Sequence, residues 1–302
     1  MTINTINRER RNLLRIGKIP FANLFPIFYE LQNECDCSHY DFIEGVPSLL
    51  NRKLRSGEID LSPSSSIEYL RYKDRYVYID GHSLSSKGAI ESILLISRIP
   101  IDKLRGIKVF TTSQSDTSVV LLNIILRKFS QIECYFESTD EKIESLLNEA
   151  DAFLCIGDDA LKAKRIITNH KLQIEKRIKN AELRTPNSGL IYYIYDLGDL
   201  WFKNTGLPFV FALWIVRKDS LEEKPDLISK FTYDLDKSKR LAKEHLNKIA
   251  SALKQLLFEN HGLLLKEQEI LSYWKCISFD LTEEHKRGLG LFRKYSEELG
   301  LL

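Results

Sequence analysis

The sequence has no long hydrophobic run. Although 43% of its 302 residues are hydrophobic, no stretch approaches the about 18 apolar residues that a membrane-spanning helix needs. The opening stretch, MTINTINRERRNLLRIGKIPF, places no apolar run behind its charges and so lacks the pattern of a secretory signal. These absences predict a cytoplasmic protein that does not have a membrane as a partner.

Residues that hold metals or form disulfides are few and scattered. The five cysteines include one close pair, Cys35 and Cys37, without a CxxC motif, and the six histidines form no cluster. We interpret the cysteines as free thiols and expect no metal site.

The sequence also lacks an excess of charge of one sign. Its formal net charge is +2, and it has no basic stripe of the kind that binds nucleic acid, so we expect no nucleic-acid partner. GxGxxG, P-loop, HExxH and GxSxG motifs are missing as well. Dinucleotide, triphosphate, zinc-peptidase and α/β-hydrolase functions therefore lack their usual residues.

Strands and helices alternate along most of the chain. Strands are predicted at 13–19, 39–45 and 58–62, and a helix follows each of them, as in LFPIFYELQ and PSLLNRKLRSG. This βαβαβα order is typical of parallel strands that are covered by helices. Residues 99–200 repeat the pattern, and the chain after 219 is predicted to be helical.

Two strands, in ESILLISR and LPFVFALWIVRK, stand where one α/β unit leads into the next part of the chain. Two such crossings predict a discontinuous first domain. We expect one lobe from 13–95 and 210–302, a second lobe from 99–205, and a cleft between the lobes where loops from the strand ends gather.

Five polar segments are predicted to be loops at those strand ends: PFAN (20–23), SPSSS (62–66), SLSSKG (83–88), TTSQSDTS (111–118) and IGDD (156–159). Hydroxyl groups at a helix start leave backbone amides free for an anion, and the helix dipole adds a favourable field. The starts at Ser64–Ser66 and Ser115–Ser118 are therefore predicted to hold two carboxylates of one ligand. Each segment alone is equally an ordinary helix cap, and Ser65-x-x-Glu68 fits a capping box.

Several segments, in order, resemble the chorismate dehydratase family of the futalosine route to menaquinone. They are RIGKIPFANLFPIFYEL, GVPSLLNRKLRSGEIDLSPSSSIEYLR, SSKGAIESILLISR, TTSQSDTSVVLL, IGDDAL and TGLPFVFALWIVRK. The resemblance implies an α/β fold of the two-lobed, type II periplasmic-binding-protein kind with a central cleft. Residues 162–188 depart from the family pattern as a longer link. The serine-, proline- and cysteine-rich first loop of the sister enzyme, dihydroxynaphthoate synthase, is replaced here by IPFANLFP.

The resemblance implies a hydro-lyase that converts chorismate to 3-[(1-carboxyvinyl)oxy]benzoate and water without a cofactor. Asn23 and Ser86 are the implied catalytic residues, and the general base is either a protein group or a carboxylate of the substrate. The implied substrate-binding residues are Ser64, Ser65, Ser66, Ser85, Thr112, Ser115, Thr117, Ser118, Gly157 and Asp158. A monomer and a homodimer both remain open, as do two other functions: a non-catalytic binding protein for small anions, and the sister synthase.

Overall fold

The computed structural model describes residues 13–179 and 192–302. In chain order, the strands are β1 (Leu14–Lys18), β2 (Tyr40–Glu44), β3 (Leu61–Ser65), β4 (Tyr76–Ser86), β5 (Ile93–Ser97), β6 (Lys108–Thr112), β7 (Tyr135–Thr139), β8 (Ala152–Ile156), β9 (Tyr193–Asp196), β10 (Phe209–Arg217) and β11 (Ser278–Leu281). The helices are α1 (Phe25–Glu34), α2 (Pro47–Ser56), α3 (Ser66–Arg71), α4 (Asp116–Asn123), α5 (Ile143–Glu149), α6 (Gly157–Lys179), α7 (Leu197–Thr205), α8 (Lys218–Glu223), α9 (Pro225–Glu244), α10 (Leu246–His261), α11 (Glu267–Lys275) and α12 (Glu283–Glu298).

Contacts between residues divide the chain into two units. Unit 1 holds the described residues of Met1–Lys87, Gln114–Thr117 and Leu207–Leu302. Unit 2 holds those of Gly88–Ser113 and Ser118–Gly206. Each unit contains one sheet, and unit 1 is discontinuous in the sequence.

The sheet of unit 1 has the strand order β11-β4-β10-β3-β1-β2. Strand β1 runs parallel to β2 and β3, whereas β10 is antiparallel to both β3 and β4. Strands β1, β3 and β4 therefore share one direction. Their carboxyl ends lie at one edge of the sheet, together with the start of β10.

The core of unit 1 is an aromatic cluster beside the long apolar strand β10. Trp214 of β10 lies 5.6 Å from Phe28 of α1 and 5.4 Å from Phe231 of α9, measured between ring centroids. Tyr40 of β2 packs edge-on against Phe231 at 5.6 Å. The buried run FVFALWIVR is typical of a central strand covered on both faces. The sheet order places this strand, β10, between β4 and β3.

Helix α2 begins and ends as its sequence predicts. Pro47 occupies the first turn, where a missing N–H costs nothing, and Gly57 closes the helix with a left-handed φ of 79°. The left-handed backbone conformation favours glycine there, whereas the atom that a Cβ would meet is the flexible end of the Arg217 side chain, which can shift.

Three of the predicted loops are wrong. IGDD is not a loop, because Ile156 ends β8 and Gly157 begins α6 directly. The segments SPSSS and SLSSKG are largely strand. Ser62–Ser65 continue β3, and Ser83–Ser86 are the last residues of β4. Their main partner is β10, which pairs with β3 from Leu61 to Ser65 and with β4 from Tyr76 to Ser86. Strand β11, also absent from the predicted elements, pairs with β4 on its other side. Pairing with residues far along the chain therefore outweighs the low strand propensity of serine.

The sheet of unit 2 has the order β7-β6-β8-β5-β9. Strand β6 is parallel to β7 and β8, and β5 is antiparallel to β8 and β9. Its core includes Leu94, Ile96, Phe153 and Leu147, which are buried between the sheet and its helices. A π-helical segment, Ile124–Phe129, follows α4 directly.

Part of the divergent stretch 162–188 belongs to helix α6, which continues to Lys179. Residues 180–191 lie outside the described part, including the first two residues of the strand predicted in LIYYIYD. Over the ranges 13–179 and 192–302, no helix is long and apolar enough to cross a membrane. All five cysteines carry free thiols, as predicted.

Candidate functional site

Asn23 lies in the turn that joins β1 to α1. The turn is fixed by two hydrogen bonds: the Leu24 amide donates to the Phe21 carbonyl at 3.2 Å, and Trp274 Nε1 donates to the Ala22 carbonyl at 2.8 Å. The Asn23 side chain is 8% exposed, and its Oδ1 has no hydrogen-bond partner among the described residues. A buried carbonyl oxygen without a partner costs stability, so it is a candidate for contact with a bound molecule.

Ser64, Ser65 and Ser66 are all buried at the end of β3 and the start of α3. Ser66 Oγ donates to the Val210 carbonyl at 2.5 Å, which ties α3 to β10. Ser65 Oγ accepts from Asn51 Nδ2 at 2.9 Å, and Ser64 Oγ has no partner within the described ranges. Ser64 and Ser65 therefore keep hydrogen-bonding capacity for a ligand, whereas the Ser66 hydroxyl is engaged by the sheet.

The capping box predicted for α3 is wrong. Ser65 is the N-cap but makes no capping hydrogen bond with its side chain. Thr117 takes that role, because its Oγ1 accepts from the Ile67 amide at 3.1 Å. One amide at the start of α3 is thus occupied, and the helix has only six residues. An anion at this position would depend on the serine hydroxyls more than on helix amides.

Glu68, the other half of the predicted capping box, is bound elsewhere. It accepts from Arg55 Nη1 at 2.5 Å and from the Tyr76 hydroxyl at 3.0 Å. Burial raises the pKa of Glu68, and the Arg55 guanidinium only partly offsets this effect. Glu68 therefore ties α2 and β4 to α3.

Ser85 and Ser86 end strand β4, and both are buried. Ser85 Oγ donates to the Ser278 carbonyl of β11 at 3.2 Å. Ser86 is the next residue, so its side chain points to the opposite face of the sheet, where it stands across from Phe209 of β10. The Ser86 side chain therefore does not share the face of the sheet that carries the Ser85 side chain.

Strand β10 brings the two serine groups of unit 1 to one edge of the sheet. Its residue Phe209 pairs with Ser86, and its residues Ala212 and Leu213 pair with Ser65 and Ser64. Both groups therefore flank the first five residues of a single strand. Asn23 follows β1 at the same edge, since β1 and β3 are parallel.

Ser115 and Thr117 belong to a short segment, Gln114–Thr117, that is counted with unit 1. The Ser48 amide of α2 donates to the Gln114 carbonyl at 3.0 Å, and Arg71 of α3 pairs with Asp116 at 3.3 Å. Ser115 is buried. These contacts hold the segment against the start of α2 and the last residue of α3.

The remaining predicted residues lie in unit 2, at the carboxyl ends of the parallel strands β6 and β8. Thr112 ends β6, and Ser118 is buried in the first turn of α4. Gly157 begins α6 with a positive φ of 57°, and its amide donates to the Ser92 carbonyl at 2.8 Å. Asp158 is buried in the first turn of α6, where the helix dipole favours a carboxylate.

His82 and Lys87, which lie close to the serines of β4 in the sequence, have partners of their own. His82 Nε2 lies 3.1 Å from Asp236 Oδ1 of α9, and Lys87 pairs with Glu284 at 3.0 Å. Burial, with Lys239 nearby, lowers the pKa of His82, so its ring is neutral at neutral pH. Within the described chain, no group of three or more His, Cys, Asp or Glu side chains is placed to hold a metal ion.

Asn51 is the functional candidate that the sequence analysis missed. It is 2% exposed, on the face of α2 that buries Leu50 and Leu54. An asparagine in the apolar stripe of an amphipathic helix is unusual, and this was the available signal.

The fold is that of the periplasmic binding proteins. The protein AF1704 of Archaeoglobus fulgidus superposes with a TM-score of 0.72 at 18% identity, covering 96% of this chain and 99% of that one. The periplasmic aliphatic sulphonate binding protein SsuA of Escherichia coli superposes with a TM-score of 0.61 at 15% identity, covering 96% of this chain and 88% of that one.

Within this fold, the chain belongs to the menaquinone biosynthesis family, whose model matches residues 14–298. The chorismate dehydratase of Thermus thermophilus is 29% identical over 286 residues, which cover 95% of each chain. The 1,4-dihydroxy-6-naphtoate synthase of the same organism is 24% identical over 295 residues, again 95% of each chain.

Proposed function

We propose that this protein is a chorismate dehydratase, a hydro-lyase that forms 3-[(1-carboxyvinyl)oxy]benzoate and water from chorismate. The observation that carries the proposal is the chemistry at the edge of the unit 1 sheet. The groups gathered there are buried and neutral: the amide of Asn23 and the hydroxyls of Ser64, Ser65 and Ser86. Such groups bind and orient a dicarboxylate, and they suit a reaction that the formation of an aromatic ring drives forward.

The reaction breaks the C3–H and C4–O bonds of the ring. The electron pair of the C3–H bond enters the ring π-system, the C4 hydroxyl leaves with a proton as water, and the ring becomes aromatic. Hydroxyl donors on the ring carboxylate stabilise the negative charge that develops there as C3 is deprotonated. In this scheme Ser64 and Ser65 donate to that carboxylate.

Ser86 and Asn23 are assigned the catalytic roles. Ser86 donates to the leaving oxygen or to the developing oxyanion. Asn23 orients the enolpyruvyl carboxylate of the substrate against C3, where that carboxylate accepts the proton. Asp158 is the one carboxylate among the predicted site residues, and it lies in unit 2.

Two comparisons favour this activity over that of the sister enzyme. The identity to the dehydratase, 29%, exceeds the 24% to the naphtoate synthase. The first loop also reads IPFANLFP, in place of the serine-, proline- and cysteine-rich loop that the sister family carries there.

The purified protein incubated with chorismate should generate a new aromatic absorbance and a product lighter than chorismate by one water. Chorismate that binds without change would support a non-catalytic binding protein instead. Chorismate that neither binds nor changes would point to the sister activity.

We also propose that the reaction needs no added metal or organic cofactor. Turnover after exhaustive dialysis against a chelator should equal that of untreated protein. Loss of turnover that one divalent ion restores would refute this proposal.

A further inference from the structure

Asn51 uses only part of its hydrogen-bonding capacity. Its Nδ2 donates to Ser65 Oγ at 2.9 Å, whereas its Oδ1 is buried and has no partner within residues 13–179 and 192–302. A leucine would fill this buried helical position without leaving a carbonyl oxygen unpaired. The choice of asparagine therefore needs a reason other than packing.

The hydrogen bond from Asn51 determines whether the Ser65 hydroxyl acts as a donor toward other groups. A hydroxyl has one proton and two lone pairs, and here one lone pair of Ser65 accepts from Asn51. No described group accepts the Ser65 proton. Because Asn51 supplies a donor, Ser65 acts as a donor itself toward whatever lies beyond it.

We propose that Asn51 is a positioning residue that fixes the Ser65 hydroxyl as a hydrogen-bond donor to a carboxylate of the ligand. The identity of that ligand as chorismate rests on the proposed function. Asn51 acts through Ser65 in this arrangement, and the pair offers the Ser65 proton to an acceptor such as a carboxylate.

A purely structural tether between α2 and β3 is the competing explanation. Helix α2 is already held by Leu50 and Leu54, which are fully buried, and by its glycine cap. The Asn51–Ser65 bond is therefore not the main attachment of the helix. A tether and a positioning residue differ in their effect on ligand affinity, which an experiment can separate from stability.

The first experiment compares Asn51→Ala, Ser65→Ala and the double variant for chorismate turnover. Each single change should raise KM by about 10- to 100-fold, the size of one hydrogen bond to a charged group, with a smaller change in kcat. The double variant should be no worse than Ser65→Ala, because Asn51 acts through Ser65. Additive effects, or a lower Tm with KM unchanged, would overturn the proposal.

Asn123→Ala is the matched control. Asn123 is also a buried helical asparagine, and its Nδ2 donates to the Val119 carbonyl of its own helix at 3.0 Å. Its loss should leave KM for chorismate unchanged. Circular dichroism and Tm establish that each variant is folded.

Asn51→Asp adds a readout that a tether would not move. An ionised carboxylate at this position can only accept hydrogen bonds. It would therefore accept a hydrogen bond from the Ser65 hydroxyl and would repel an anionic ligand. A protonated carboxyl donates to Ser65 Oγ and restores the original polarity. Lowering the pH from about 8 to about 5, across the raised pKa expected of a buried carboxyl, should therefore reduce KM of this variant more than that of the wild type. Parallel profiles would contradict the proposal.

Calorimetric titration with isophthalate, an aromatic dicarboxylate, separates this inference from the proposed function. Binding by the wild type that weakens equally in Asn51→Ala, Ser65→Ala and the double variant supports the positioning role, even if chorismate is not converted. No isophthalate binding by the wild type, or equal binding by all variants, overturns it.

Discussion

Ser85 and Ser86 are neighbours in one strand, yet their side chains face opposite sides of the sheet. The Ser85 hydroxyl donates to a carbonyl of β11 and so supports the pairing of the edge strand. Ser86 faces the other side, next to the start of β10. The alternation of a strand thus gives two identical side chains different surroundings.

Replacement of Ser86 by alanine tests its catalytic role. If its hydroxyl donates to charge that grows during the reaction, the interaction is stronger in the transition state than in the ground state. Ser86→Ala should then lower kcat by about 10²- to 10³-fold and change KM little. Steady-state kinetics with chorismate measures both.

Ser296→Ala is the control for that variant. Ser296 is also fully buried, and its hydroxyl donates to the Phe292 carbonyl within α12. Its loss should leave kcat unchanged. A rise in KM with constant kcat for Ser86→Ala would instead assign Ser86 to ground-state binding, and no change in either would leave Ser86 with a role in the strand alone.

Helix α12 packs against the start of β10 through a glycine. A Cβ atom at Gly288 would lie 2.1 Å from the Pro208 carbonyl oxygen, whereas a Cβ at Gly290, two residues later, meets nothing within 4 Å. Gly288 therefore allows a close contact between α12 and the backbone before β10, whereas Gly290 of the same helix makes no such contact.

Gly288→Ala and Gly290→Ala form a matched pair. The first should lower Tm, because α12 must move away from backbone atoms that cannot yield easily. The second should raise the free energy of unfolding by about 0.5–1 kcal/mol, since alanine is the better helix former. Thermal unfolding of both variants checks the signs. Equal shifts would show that helix propensity alone decides.

The sequence predicted most helices and the buried strands because their signals are local. Proline in the first turn of α2, Gly57 after its end and the apolar run of β10 act within a few residues. The ends of β3 and β4 were predicted as loops because they contain serine and, in β3, Pro63. Their strand conformation depends on β10 and β11, which are distant in the sequence.

The candidate site likewise has a part that local sequence predicts and a part that depends on distant residues. The segments around Asn23, Ser64 and Ser86 were predicted from composition and from the family resemblance. The use of each hydroxyl was not predictable, because Ser66, Ser85 and Thr117 bond to groups that only the folded chain brings near. Asn51 was missed because its partner is a side chain on another element.

A charge cluster around the buried Asp60 joins the first and last chain segments of unit 1. Asp60 accepts from Arg15 Nη2 at 2.6 Å, from Lys224 Nζ at 2.7 Å and from Ser220 Oγ at 3.0 Å. Burial alone would raise the pKa of Asp60, but the hydrogen bonds from Arg15 and Lys224 outweigh it and lower the pKa. Asp60 therefore stabilises the fold in its ionised form.

Asp60→Asn should destabilise the protein and reduce the loss of its free energy of unfolding as the pH falls. Loss of the carboxylate leaves two cations without their shared partner, a change that costs about 3–5 kcal/mol in buried pairs. Because the folded pKa lies below the unfolded value, the contribution of Asp60 is present above the unfolded pKa and is lost as the pH falls through the folded pKa.

Urea unfolding at a series of pH values from about 6 downward measures this contribution. The wild type should lose more stability over that range than Asp60→Asn. Identical slopes for the two proteins would show that other carboxyl groups control the acid response.

The order in which a ribosome releases the chain follows from the discontinuity of unit 1. Ser64 and Ser65 emerge early, but their pairing partners Leu213 and Ala212 emerge only after all of unit 2 has been made. Until then β3 and β4 each lack a neighbour, and unpaired strand edges favour pairing with other chains. Unit 2, whose segments are complete by Gly206, has every strand of its sheet available first. Residues 61–86 therefore stay open to pairing with other chains until β10 has been made, and a stall in translation before residue 209 would prolong that exposure.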